Sequence, residues 1–295
     1  MSTLVSVDLD DVTCHHQVLG LAPPDAGLAG VMLERVLPRF AEVFAETETR
    51  ATFFVVGRDL DRDLAASGDG ARQLEALMGA GHTLANHSYA HDYGMTDWRA
   101  ELIAEDLARC DASLRRLGAE PRGFRAPGYT HDRRMLFQVA AQGYEYDSSS
   151  MPSLTYFGAK LGAMAWFRLR GRRSASRPDN LRSFLGRTHP QFLTDAGIWE
   201  VPISVSRSLR LPLIGTSLLS GPELIRRALM MEAVATPHLH LELHAMDLVD
   251  PSADGLEHLV GVQPGLKVPL SRRRERLVEL LRAREGGHPI ESVLA

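Results

Sequence analysis

The sequence has very little cysteine. Among 295 residues only Cys14 and Cys110 occur, far apart and in no CxxC pattern. That excludes a disulfide framework and leaves two thiols expected to be buried or incidental in a reducing compartment. Long apolar runs are missing as well. No segment approaches the ~18 uninterrupted apolar residues that a membrane-spanning helix needs. The opening "MSTLVSVDLDD" lacks the basic start, apolar core and small-residue cleavage site of an export signal, so a cytoplasmic protein is expected. Charge of one sign is scarce too. A net charge of −4 offers no general attraction to nucleic acid, and none is expected as a partner.

What remains is a chain with 44% hydrophobic residues, enough for a large core. Short β-rich runs alternate with helical patterns. "LVSVDL" (4–9), "ATFFVVG" (51–57), "HTLANH" (82–87), "GFRAPG" (123–128), "IWEVPISV" (198–205) and "HLHLELHA" (238–245) read as strands or strand ends. Between them, 31–46 reads as a helix that Pro38 would kink, and 71–81 as a short helix closed by glycines. In 97–118, Ile103, Leu107, Cys110, Leu114 and Leu117 recur at steps of four and three before Gly118, an amphipathic helix with its stop. Further helices are expected over 133–143, 221–235 and 270–284, and "PIESV" as a closing strand. Repeated strand–helix alternation implies a mainly parallel sheet with helices outside, and barrels of this length are routinely one domain. One domain over 1–295 is expected, with an inserted apolar and basic segment at about 150–197.

The polar residues able to do chemistry collect at strand ends. Asp8, Asp10 and Asp11 end the first strand, His87 and His91 follow the third, Arg125 ends the fourth, and His244 ends "HLHLEL". In α/β barrels the carboxyl ends of the strands share one face, which carries the active site. Four apart is the spacing that sets two imidazoles on one side of a helical turn, within reach of one metal ion. Taken alone, the pair also suits a polar surface turn.

In order along the chain, "SVDLDD", "ATFFVVG", "GHTLANHSYAH", "FRAPGYT", "GYEYDSSS", "WEVPISV" and "LELHAMD" resemble the motifs of the polysaccharide deacetylases, the NodB-homology family of metal-dependent amide hydrolases. The separation of Asp8 from Asp10 by Leu9 resembles the intracellular DxD branch. That resemblance implies an α/β fold, a distorted (β/α)7 TIM-like barrel, and one divalent metal. Zinc is the expected ion, with other transition metals open. Asp10, His87 and His91 would hold it, Asp8 would be the general base oriented by Arg125, and His244 the general acid. Gly128 stands where the family commonly has tyrosine. Its backbone N–H would face the oxyanion, and Tyr129 would take over the substrate contact.

The implied activity is removal of an acetyl or formyl group from an N-acylated amino sugar, free or lipid-linked. A small cyclic amide or imide hydrolase, imidase- or allantoinase-like, and a non-catalytic module that kept the fold are the alternatives. Asp11 is expected to be structural, His238 and His240 to pack or face solvent, and His15 and His16 to approach the pocket. Asp247 is a candidate to orient His244, and Cys14 a further neighbour of the site. Residues 156–174, "YFGAKLGAMAWFRLRGRRS", mix apolar side chains with five basic ones. They suit either a helix packed on the barrel or peripheral contact with an anionic membrane at its inner surface. "RLPLIGTSLL" (210–219) is a second apolar stretch expected at the same mouth. Self-association is left open.

Overall fold

Seven strands run parallel: β1 (Ser2–Asp8), β2 (Thr52–Val55), β3 (Thr83–Asn86), β4 (Gly123–Phe124), β5 (Tyr146–Asp147), β7 (Ile198–Glu200) and β8 (His238–His244). One more, β6 (Gln191–Leu193), pairs antiparallel with β7 at the edge. These assignments come from a computed structural model that describes residues 1–177 and 181–294. The spatial order is β6-β7-β5-β4-β3-β2-β1-β8, a single sheet curled into a distorted barrel. The chain after β7 helps to close it, for the Ser204 N–H bonds the His240 carbonyl of β8 at 3.2 Å.

The helices are α1 (Val12–Leu19), α2 (Leu37–Glu46), α3 (Gly57–Ala65), α4 (Asp69–Gly79), α5 (Ala100–Arg115), α6 (Arg133–Ala141), α7 (Leu154–Leu169), α8 (Gly215–Ser220), α9 (Glu223–Ala235) and α10 (Leu270–Ala283). The period in α5 does what the sequence predicts. Ile103, Leu107, Cys110 and Leu114 are fully buried, and Gly118 turns the chain with φ +77°. Each such aliphatic side chain contributes roughly 1.5–3 kcal/mol on burial, so α5 is held by its inner stripe.

The helix expected over 31–46 is present as one continuous run, wound as a π-helix over Met32–Val36 and α-helical from Leu37, so its irregularity lies in the turn just before Pro38, whose missing N–H removes a hydrogen bond there. Two local expectations fail. "PIESV" is a single 3-10 turn, Ile290–Val293, and not a strand. There Glu291 accepts hydrogen bonds from Thr52 Oγ1 (3.1 Å), Thr83 Oγ1 (2.9 Å) and Tyr146 Oη (2.9 Å), closing the amino-terminal end of the barrel. The second concerns His87 and His91. They follow β3 in an irregular loop and not on a helical turn, because Ser88 (φ +66°) and His91 (φ +47°) are left-handed.

Candidate functional site

The histidine loop is fixed from two sides. The side-chain carbonyl of Asn86 accepts the Ser88 N–H (2.8 Å), and the Asp106 carboxylate of α5 accepts the N–H groups of Tyr89 (2.8 Å) and Ala90 (2.9 Å). Ser88 Oγ then accepts the His91 N–H at 3.0 Å. These bonds offset the left-handed backbone and bring both imidazoles to one side. His87 Nε2 and His91 Nε2 each lie 3.1 Å from Asp10 Oδ1, and all three residues are buried.

The donor set fits a divalent ion. His87 Nδ1 lies 2.8 Å from the Arg125 carbonyl. A carbonyl oxygen only accepts, so Nδ1 carries the proton there and Nε2 is the nitrogen left to ligate. His91 Nε2 approaches Asp10 Oδ1, and neither of its ring nitrogens has a well-directed hydrogen-bond partner among the described residues. A buried imidazole aimed past its neighbour is costly unless a third body receives it. Ligands at zinc's ~2.0–2.1 Å in a tetrahedron stand about 3.3 Å apart, close to the spacing here. In the metal-free protein, burial opposes ionisation of Asp10. His91 and His87 outweigh it and hold the carboxyl well below its usual range. Burial lowers the His87 pKa, but Asp8 and Asp10 more than reverse this, so it stands above the ordinary imidazole value.

Asp8 sits beside this set at the end of β1. Arg125, fully buried, donates from Nη1 to Asp8 Oδ1 at 2.5 Å. The same guanidinium donates to the Ser148 carbonyl (2.9 Å), Ser148 Oγ (2.9 Å) and Ser6 Oγ (3.0 Å), and lies 4.1 Å from the Phe54 ring centroid. The other carboxylate oxygen, Asp8 Oδ2, is buried with no hydrogen-bond partner among the described residues and lies 3.9 Å from His87 Nε2. One oxygen of Asp8 is thus clamped while the other faces the histidines.

His244 stands directly across the β1–β8 ladder from Asp8. Its Nδ1 lies 2.7 Å from Glu242 Oε1, and its Nε2 lies 3.2 Å from Tyr129 Oη. Burial alone would lower the His244 pKa. Glu242, with Asp8 and Asp10 behind it, outweighs burial and holds the value well above the ordinary one. Sequence reasoning missed Glu242. The signal was there: residues two apart on a strand share a face, and Glu242 is the only acid in "HLHLELH".

A cavity of about 250 Å³ opens over these groups, with Asp8, Asp10, His87, Gly128, Tyr129 and His244 in its wall. Gly128 has φ +63°, and a Cβ there would meet Tyr93 Cδ1 at 2.9 Å, so glycine suits both backbone and space. His15, Tyr156 and Lys160 complete the rim, together with Ile214 and Thr216 from the second apolar stretch.

The remaining candidates sort plainly. Asp11 pairs with Arg62 at 3.1 Å, a structural use. His240 is buried between Ser6 Oγ and the Pro202 carbonyl, while His238 is exposed. The Asp247 carboxylate accepts the His244 backbone N–H at 2.9 Å. Cys14 and Cys110 are buried and unbridged, and burial pushes both thiols up. His16 lies beyond the cavity wall, its Nε2 3.0 Å from that of His258.

Residues 25–146 match the family described as polysaccharide deacetylase. That span includes His87, His91, Arg125, Gly128 and Tyr129; Asp8, Asp10 and His244 lie outside it. A protein from Mycobacterium smegmatis, provisionally assigned as a polysaccharide deacetylase, superposes with a TM-score of 0.60 at 17% identity. That likeness covers 99% of this chain and 88% of that one. A 4-alpha-glucanotransferase from Thermococcus litoralis has the same TM-score of 0.60 at 12% identity, covering 100% of this chain and 39% of that one. No curated protein matches the chain in sequence. Two unlike activities on one barrel leave the choice of chemistry to the site.

Proposed function

We propose that this chain, a member of the polysaccharide deacetylase family, is a metal-dependent amide hydrolase that removes an acetyl or formyl group from an N-acylated amino sugar. Asp10, His87 and His91 would hold the ion, zinc first among the candidates for two imidazoles and one carboxylate. Lewis acidity toward an attacking water and an acyl carbonyl is what such an ion supplies.

The rest is the work of the chain's own groups. Asp8 Oδ2 accepts the proton of the attacking water, because Arg125 already occupies Oδ1 and fixes the carboxylate's angle. An amine leaves badly as an anion. His244, protonated through its pairing with Glu242, gives it a proton from Nε2. The Gly128 N–H faces the developing oxyanion, and Tyr129 Oη, already on His244 Nε2, yields that position to the substrate nitrogen. The observation that carries this reading is the buried, unpartnered Asp8 Oδ2 beside an Asp–His–His set. A binding module has no use for that costly arrangement.

Two tests follow. Purified protein should hold about one divalent ion per chain, and His87→Ala or His91→Ala should lose it. Retention should also fall with acid, since protons compete with the ion for His87, whose pKa Asp8 and Asp10 raise. Full occupancy in both variants would reject the site. Release of acetate or formate from N-acylated sugars, set against ring opening of cyclic imides, then separates the sugar reading from its rival.

Glu242→Gln tests the proton donor. His244 is active protonated, so activity is lost as pH rises through its pKa. Removing the dominant partner lowers that pKa, and the alkaline limb of the rate profile should move to lower pH by about one unit or more. An unmoved limb means that another group protonates the amine.

A further inference from the structure

The helix α7 is apolar nearly all round yet lies on the surface. Its inner side chains, Tyr156, Phe157, Lys160, Met164 and Phe167, are half-buried. The outer side shows Leu154 at 50% exposure, Trp166 at 53% and Leu169 at 82%, with Leu161, Ala163 and Ala165 between them. A helix of that composition is ordinarily found in a core or against lipid. The patch extends beyond the helix. Thr155 Oγ1 bonds the Arg210 carbonyl at 3.1 Å, which sets exposed Leu209 beside the amino end of α7. Arg210 Nη1 in turn reaches the Gly186 carbonyl, bringing in exposed Leu185.

The charge around α7 is mainly positive. Several exposed arginines elsewhere are paired, as in Arg72–Asp69, Arg115–Asp111, Arg122–Glu145 and Arg272–Glu275, while Arg35, Arg50, Arg99 and Arg109 stand scattered and without a carboxylate partner among the described residues. Arg168, Arg170, Arg172, Arg173 and Arg210 have no carboxylate partner among the described residues, while the Arg207 N–H donates to the Glu232 carboxylate. The sequence from 154 to 177 contains no acidic residue at all. Arg170 stacks on Trp166 at 4.4 Å, pairing a cation with an exposed indole at the patch's edge. No helix of the described residues is long and apolar enough to cross a membrane. A surface helix with an apolar outer face and an unpaired arginine rim is complementary to one partner class, an anionic lipid bilayer.

We infer that α7, with the 207–210 loop, is the docking surface for an anionic bilayer. Its inner face carries Tyr156 and Lys160 into the wall of the catalytic cavity, and Tyr156 packs on Tyr129 with ring centroids 5.8 Å apart. Bilayer and reaction centre are thus about one helix diameter apart, ~10–12 Å. On the amide-hydrolase reading, on which this step rests, the substrate's acylated sugar enters from the headgroup layer while its lipid stays in the membrane.

The test is sedimentation of the metal-loaded full chain with vesicles of equimolar phosphatidylglycerol and phosphatidylcholine, against phosphatidylcholine alone. The anionic vesicles should retain the protein at low salt and release it as salt rises, with Trp166 fluorescence shifting to shorter wavelength. Replacing Arg168, Arg170, Arg172 and Arg173 by Gln should weaken partitioning by roughly two to three orders of magnitude. Hydrolysis of a small soluble amide should be unchanged. Should that variant not fold, Leu169→Ser with Trp166→Ser replaces it, with at least tenfold weaker partitioning expected. Equal binding to both vesicles, or to neither, overturns the inference. So does a dimer without vesicles that Trp166→Ser dissociates, which assigns the patch to a second copy of this chain. Vesicle binding without hydrolysis of any amide keeps the docking surface and removes the hydrolase reading alone.

Discussion

Replacing Asp8 with asparagine is expected to lower turnover of an N-acylated sugar by roughly 10³-fold or more, while metal content stays at about one ion per chain. The substitution preserves shape. An amide oxygen can still accept from Arg125 Nη1, so the clamp at 2.5 Å keeps the side chain in place. What is lost is the lone pair of Oδ2 that takes the proton, because an amide is not basic at neutral pH. Asp10→Asn should do the opposite in kind. Asp10 Oδ1 lies 3.1 Å from both His87 and His91, so its loss removes the anionic member of the ligand set and weakens metal retention first. Metal analysis beside single-turnover rates reads the two apart. An Asp8→Asn protein without metal, or an Asp10→Asn protein with metal and no activity, would exchange the two roles.

That contrast bears on "DLDD", where spacing alone leaves three acids open. The fold places the three differently. Asp8 closes the β1 ladder opposite His244, whereas Asp10 lies past the strand end, against the histidine loop, and Asp11 turns away to Arg62. Strand ends were legible because apolar runs stop at polar residues. The convergence of Asp8, Arg125 and His244 followed from that. What stayed hidden were polar side chains on inner faces, whose partners only the fold reveals. Helix α3 was unread because its buried positions include Asp59 and Asp63, and Asp63 spends its carboxylate on the N–H groups of Gly70 and Ala71. Two acids on an inner face look like a loop to any hydrophobic pattern. Glu242 was passed over for a similar reason, since a buried acid on a strand declares its purpose only when its partner, His244, is seen. The histidine spacing pointed to a shared ligand set but to a helical turn, because i and i+4 also meet across a loop bent by two left-handed residues.

Arg125→Met should cost about 3–5 kcal/mol of stability, the largest effect of any single substitution at this site. The guanidinium has no exposed surface and Asp8 has 1%, so removing the cation leaves a carboxylate buried and uncompensated. The loss goes further, for Ser6 Oγ and the Ser148 carbonyl and hydroxyl lose a donor as well. Methionine keeps much of the length of the arginine stem against Phe54 and creates only a modest void, which isolates the electrostatic part. Urea unfolding of chelator-treated protein measures it without the stabilisation that a bound ion would add. The decisive comparison is the double variant Arg125→Met with Asp8→Leu. If the cost is that of an unpaired buried charge, removing Asp8 as well should restore at least ~2 kcal/mol over Arg125→Met alone, with activity still absent. Costs that simply add, or an Arg125→Met cost below ~1 kcal/mol, would show that the ion pair does not hold β1 to β4. Asp8 would then need another source for its orientation.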